Sequence, residues 1–117
     1  MGLAAVKPRS YLPIGAYGLV GDGRTAALVG TDGSVDWLCW PRFDAPSVFG
    51  ALLDAQRGGR FSIAPAVPFQ SSQSYEPDTN ILVTSFNTPN STVELTDFMH
   101  VGDGAPDRHV LYRVVRC

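Results

Sequence analysis

A chain of 117 residues, 44% hydrophobic and 17% charged, has room for one small domain and enough apolar residues to fold it. Nine Lys and Arg against eleven Asp and Glu give a formal charge of −2, which argues against a nucleic-acid binder and its basic patch. Lys7 is the only lysine, and Glu76 and Glu94 are the only glutamates, so strong helix formers are scarce. Twelve Gly and nine Pro break the chain often, and the composition reads as β-rich. No stretch reaches the roughly 20 apolar residues of a membrane-spanning helix. The first residues lack the apolar core of a secretion signal, so a cytoplasmic location is expected. Two cysteines make no disulfide framework. Cys39, in an apolar run, reads as a small buried hydrophobe, and Cys117 as a thiol able to cross-link two molecules. Asn90-Ser91-Thr92 matches a glycosylation acceptor, which without a secretion signal means only an exposed turn.

Residues 1–13 read as a leader, followed by a domain over 14–117. Tyr17 to Val20 is the first strand, ended by Gly21-Asp22-Gly23. Thr25 to Val29 and Ser34 to Cys39 are the next two. Gly30-Thr31-Asp32-Gly33 joins them, with Gly supplying the positive φ that a hairpin turn requires. Alternation along the third strand puts Val35, Trp37 and Cys39 on one face and Ser34, Asp36 and Leu38 on the other. Trp40-Pro41-Arg42-Phe43-Asp44-Ala45-Pro46 contains two prolines and cannot be a central strand. Ser47 to Leu53 predicts a short helix, with Ser47 as its cap and Val48, Ala51 and Leu52 on one face.

After Gly58-Gly59, Phe61 to Ile63 begins another strand. Residues 64–79, rich in Pro, Ser and Gln, predict a long loop or an edge segment. Ile81 to Phe86 and Thr92 to Phe98 form a second hairpin across Thr88-Pro89-Asn90. In it Val93 and Leu95 point inward, and Thr92, Glu94 and Thr96 outward. A Gly/Pro/Asp loop, Val101 to Asp107, leads to a last strand, His109 to Arg116. The sum is an all-β fold, an antiparallel β-sandwich of about six strands with one short helix. No return strand follows the last one, so the sandwich is expected to be incomplete. Its unpaired edge predicts a homodimer or aggregates.

Most motifs dissolve on inspection. Gly21-Asp22-Gly23-Arg24-Thr25-Ala26 fits a dinucleotide-loop pattern, but that chemistry needs a helix to follow, and the next turn comes too soon. His100 and His109, with Asp97, Asp103 and Asp107 near them, lie in or beside a Gly/Pro loop, not on the rigid elements that a metal site wants. Ser, His and Asp occur without a nucleophile elbow. Glu76 and Glu94 read as solvated, not as the paired carboxylates of a glycosidase. No metal and no cofactor are implied. The stretch from Asp36 to Asp44 is different, with two Trp, a Phe, an Arg and two Asp in nine residues. Flat aromatic faces stack on sugars, and Arg and Asp hydrogen-bond hydroxyls. The competing reading is a core aromatic cluster capped by an internal Arg–Asp pair. The candidate substrate-binding residues are Trp40, Arg42, Phe43, Asp44 and Asp36.

Two long runs carry a family resemblance, Gly18-Leu19-Val20-Gly21-Asp22-Gly23-Arg24-Thr25-Ala26-Ala27-Leu28-Val29 and Asp32-Gly33-Ser34-Val35-Asp36-Trp37-Leu38-Cys39-Trp40-Pro41-Arg42-Phe43-Asp44-Ala45-Pro46-Ser47-Val48-Phe49. Gly59 to Pro65, Tyr75 to Leu82 and Thr96 to Met99 continue it. The chain resembles, over residues 14–116, the N-terminal domain of glycoside hydrolase family 15 proteins, the trehalases and glucoamylase-like enzymes of bacteria and archaea. The resemblance implies a β-sandwich followed by an (α/α)6 barrel that holds two catalytic Glu. Neither Glu is in the part matched, so no catalytic residue is assigned here and this chain alone is expected to be inactive. The implied partners are the catalytic barrel of the same protein and a disaccharide or oligosaccharide. Trp40 to Asp44 would face the sugar cleft of that barrel. Departures occur at Ala16, Gly23 and Trp40, where relatives carry an acidic residue, Cys and a smaller apolar residue. Trp40 alters the shape of any sugar-facing surface. The alternative is a stand-alone carbohydrate-binding or protein-interaction module.

Overall fold

A computed structural model describes residues 11–100 and 109–117. A 3-10 turn, Ile14–Ala16, leads into β1 (Tyr17–Gly21), β2 (Ala26–Gly30), β3 (Ser34–Cys39), β4 (Ser47–Phe49) and β5 (Phe61–Ser62). The chain then enters β6 (Gln70–Tyr75), β7 (Leu82–Asn87), β8 (Thr92–Met99) and β9 (Leu111–Arg116). All pairings are antiparallel. One sheet runs β1-β2-β3-β4, with β5 also on β3, and the other runs β6-β7-β8-β9. The expected all-β sandwich is therefore the fold. Segment 64–79 resolves into the edge strand β6, flanked by irregular backbone. The Val101 to Asp107 loop and most of the leader lie outside the described residues.

The sandwich follows from which side chains each sheet turns inward. Val20, Ala27, Val29, Val35 and Leu38 of the first sheet meet Leu82 and Met99 of the second. Phe86, fully buried, takes the edge of Phe69, with ring centroids 4.9 Å apart. β1 packs on β7 and β8. In the second hairpin Leu95 is buried and Thr92 exposed, as expected, while Val93, Glu94 and Thr96 are half-buried; Asp97 and Met99 continue the inward face.

Two expectations need correction. In β3 the pairs are Leu28↔Trp37 and Val29↔Val35, so Asp36 is an extra, bulged residue. A bulge inverts the alternation. Val35 therefore shares the core face with Leu38, and Trp37 takes the opposite one. The Asp36 carbonyl, left out of the ladder, accepts from the Leu52 amide at 2.9 Å. The second correction concerns Ser47 to Leu53, which is not a helix. Ser47–Phe49 pairs with the edge of β3 at Leu38 and Cys39. The residues after it form turns in which the Leu53 and Asp54 amides donate to the Gly50 carbonyl. Pairing satisfies backbone groups of β3, and a helix interrupted by Gly50 offers less.

The two sheets are tied by polar side chains that cross between them. Arg113 of β9 is the largest such tie. Its Nε donates to Asp97 Oδ1 at 2.7 Å and its Nη2 to Asp97 Oδ2 at 3.3 Å. Nη2 also donates to the Gly33 carbonyl at 2.8 Å, and Nη1 to the Phe61 carbonyl at 2.7 Å. The guanidinium lies 4.8 Å from the centre of the Phe61 ring. The pair is sealed, with side-chain exposures of 2% and 0%. Burial pushes the Asp97 carboxyl above its ordinary value, against the hydrogen bonding and charge of Arg113. At the other side Gln73 of β6 donates to the Val29 and Gly30 carbonyls. The Tyr75 hydroxyl serves both backbone groups of Leu19 on the edge of β1.

Gly33 is where the Arg113 tie meets the first sheet. Its φ is +82°, and a Cβ there would lie 2.0 Å from the Ile63 carbonyl oxygen. Only glycine fits.

Replacing Arg113 strands a buried carboxylate. Arg113→Met is expected to lower the unfolding free energy by about 3–5 kcal/mol in urea denaturation. Arg113→Lys should recover only part of it, because an ammonium lacks the planar fork. A loss below about 1 kcal/mol would reduce the pair to the value of a surface contact.

Candidate functional site

Residues 40–46 leave the first sheet after β3 and cross over the β1–β2 turn. That turn is built by one aspartate. Asp22 Oδ1 accepts from the Arg24 amide at 2.9 Å and the Thr25 amide at 3.0 Å, an Asx turn. Gly23 sits at its tip with φ +90°. β2 follows, not a helix, so the glycine pattern makes a tight turn and no phosphate cradle. The Thr25 hydroxyl donates to the Cys39 carbonyl, fixing the point where the chain leaves β3. The Phe43 amide donates to the Arg24 carbonyl at 3.0 Å, and the Ala45 amide to the Arg42 carbonyl at 3.0 Å. The Trp40–Pro41 peptide bond is cis.

The candidate residues divide in two. Arg42, Phe43 and Asp44 are presented together at the surface. Arg42 Nε and Asp44 Oδ1 are 3.3 Å apart, with side chains 67% and 74% exposed. Phe43 is 62% exposed. Gly23, Arg24, Arg42, Phe43 and Asp44 line an open depression of about 450 Å³. Trp40 roots this group. It is half-buried against the core, and its ring meets the edge of His109 with centroids 5.5 Å apart. Asp36 does not join them. Asp36 is 1% exposed, and its carboxylate accepts from the hydroxyls of Tyr17 and Ser34, each at 2.6 Å. The Arg–Asp pair of this segment is thus on the surface, and the enclosed carboxylates satisfy the fold.

Behind the loop lies a contact that sequence reading did not find. His109 Nδ1 and Asp22 Oδ2 are 2.6 Å apart, with side-chain exposures of 4% and 6%. An ionised carboxylate only accepts, so Nδ1 carries the proton. Burial alone would raise the Asp22 carboxyl. The hydrogen bonds from His109 and from the Arg24 and Thr25 amides, with the charge of His109, outweigh it and hold the group below its ordinary value. Of the residues considered for a metal site, Asp97 is thus occupied by Arg113 and His109 by Asp22. Asp103 and Asp107 lie outside the described residues. Cys39 is buried with a free thiol, and Cys117 is exposed. No helix among the described residues is long and apolar enough to cross a membrane.

The family model for the trehalase-like N-terminal domain matches residues 6–117. The chain belongs to this family. It is 48% identical to Trehalase 1 of Sulfolobus acidocaldarius over 94 residues, 80% of this chain and 16% of that protein. Identity to a trehalase of Thermoplasma volcanium is 40% over 92 residues, covering 76% and 15%. A trehalase of Mycobacterium tuberculosis matches at 32% over 136 residues, covering 100% and 20%. No solved structure gives a significant match. The chain spans about a sixth to a fifth of the length of these relatives. The expected resemblance to trehalase N-terminal domains is thus established, across archaeal and mycobacterial relatives alike.

The trehalase-like domain should show the Asp22 contact in its acid stability. A native carboxyl held below its ordinary value of 3.8 contributes stability above that pH, and the contribution is lost as pH falls through the native value. Asp22→Asn is therefore expected to destabilise the domain at pH 6 and less at pH 2.5, compared by urea denaturation. An equal loss at both pH values would mean that the ionised carboxylate contributes nothing.

Proposed function

We propose that this domain is the non-catalytic N-terminal sandwich of a family 15-like glycoside hydrolase. It packs on an (α/α)6 catalytic barrel and lends the Trp40–Asp44 loop to the sugar pocket. The observation that carries the reading is the presentation of Phe43 and the Arg42–Asp44 pair. An aromatic ring 62% exposed costs solvation free energy. A planar guanidinium and a carboxylate beside it supply the donors and acceptors that sugar hydroxyls or a facing protein loop require. The loop is rooted at half-buried Trp40 and buried Thr25 and pinned by the Phe43 amide, so it can present these groups in one geometry.

The substrate follows from kinship. The relatives named above are trehalases, which makes trehalose the first disaccharide to test, with the α-glucans of glucoamylase-like enzymes second. The acid and base would come from the barrel. Among the described residues the acidic side chains packed inside, Asp22, Asp36 and Asp97, are each held by protein partners. None of them has the open, paired setting of glycosidase carboxylates. A second reading, a sugar-binding module acting alone, is favoured by the depression of about 450 Å³ beside Phe43.

The purified domain is expected to release no glucose from trehalose, maltose or starch. Exchanging it for the matching N-terminal segment of Sulfolobus acidocaldarius Trehalase 1 should leave a working enzyme. In that chimera Arg42→Ala with Phe43→Ala should cut trehalose turnover by about tenfold or more, while the isolated domain unfolds as before. Unchanged turnover would remove the loop from the pocket. Saturable trehalose binding by the isolated domain in calorimetry, lost in the same double variant, would favour the module.

A further inference from the structure

The Trp40–Asp44 loop contains no regular structure, yet it hangs from one buried contact between distant parts of the chain. His109 stands at the entry to β9, 87 residues from Asp22. Its ring does two things. Nδ1 engages Asp22 Oδ2 at 2.6 Å, and the ring also receives Trp40, with interplanar angle 72°. Asp22 uses its other oxygen on the Arg24 and Thr25 amides. The Arg24 carbonyl in turn accepts from the Phe43 amide, and the Thr25 hydroxyl holds the Cys39 carbonyl. The loop is therefore held at both ends by a turn whose shape depends on one carboxylate, and that carboxylate is fixed by His109.

We infer that the Asp22–His109 pair is a latch that positions the Trp40–Asp44 loop, with His109 as the positioning residue. Here one imidazole sets the Asx turn through Asp22 and the loop root through Trp40. A carboxylate accepting a charge-assisted bond in a dry site is held more firmly than a surface pair. Both amides of the turn are thereby kept pointing at Oδ1. Without the imidazole, Asp22 regains rotamer freedom, the Arg24 carbonyl loses its fixed direction, and Phe43 loses its only backbone anchor among the described residues. What the loop then meets rests on the function proposed above, but the latch itself is measurable without any sugar or barrel.

The test uses the 117-residue chain in a Trp37→Phe background, so that Trp40 is the sole tryptophan. Amide exchange is followed by NMR alongside Trp40 emission. His109→Ala is expected to speed exchange at Phe43 by about tenfold or more and to shift Trp40 emission to the red. The Ala27 and Leu38 amides of the sheet should be unchanged. His109→Asn places an amide nitrogen near the position of Nδ1. It should restore protection at Phe43 while Trp40 stays red-shifted, because the ring contact is still gone. The inference is overturned if Phe43 exchanges as in the parent protein when His109 is Ala. It is equally overturned if exchange rises uniformly across the loop and β2–β3, which would make His109 a general stabiliser. Should His109→Ala fail to fold, unprotected Phe43 in a folded His109→Asn protein overturns it as well. Unaltered sugar turnover in the chimera alongside a faster Phe43 amide would leave the latch standing and sink only the proposed function.

Discussion

A guanidinium without access to water must find all its hydrogen bonds inside the protein, and Arg113 finds them in both layers of the sandwich. Two go to Asp97 on the neighbouring strand of its own sheet. Two more reach across, to the Gly33 and Phe61 carbonyls of the first sheet. The hydrophobic core is small, and its side chains are mostly Val, Ala and Leu. Apolar packing of that size brings sheets together without fixing their relative position closely. A bidentate ion pair that also reads two carbonyls has one satisfactory geometry. Its desolvation makes it a poor source of net stability against an apolar substitute, but its loss is costly and its geometry is specific.

That constraint passes into the loop. Arg113 grips the β2–β3 turn at Gly33, where the backbone runs too close to Ile63 for any side chain. β3 leaves this turn, is bulged at Asp36, and ends at Cys39 beside the Thr25 hydroxyl. β9, which carries Arg113, begins just after His109, and His109 meets Asp22 and Trp40. The two supports thus lie close together in the chain, Arg113 within β9 and His109 two residues before its start. Arg42, Phe43 and Asp44 are exposed and make little contact, yet their backbone is set by buried polar groups behind them. Such an arrangement suits a surface that has to match another.

Most of the strands are legible, though not β4 and only in outline β6, because their signals are local. Asp32-Gly33 marked a hairpin, and Ser34 to Cys39 was bounded by a turn and a proline-rich segment. Density of aromatic and charged residues marked the 40–44 loop. Three features escaped for the same physical reason, namely that their causes lie far along the chain. The bulge at Asp36 depends on pairing with β2 and on Leu52 taking its carbonyl, and neither shows in an alternation count. The turn of Ser47 to Leu53 into β4 depends on the open edge of β3, a tertiary need that overrides a cap-and-face pattern. In the sequence His109 shows only as a histidine near a Gly/Pro loop, and Arg113 only as one residue of the last strand. Their partners are 87 and 80 residues away, at Asp22 and Gly33. Asp22 was read correctly as a turn residue, but only one of its two oxygens makes the turn.

If the Arg113 tie does weld the layers, the sheets cannot open separately. Residue-resolved native-state hydrogen exchange measures this directly. The account predicts one opening free energy shared by the Ala27 and Leu38 amides of the first sheet and the Thr84 and Leu95 amides of the second, equal to that of global unfolding. Distinct values, with the second sheet opening several kcal/mol below the first, would contradict it and leave the two layers as neighbours held only by apolar contact.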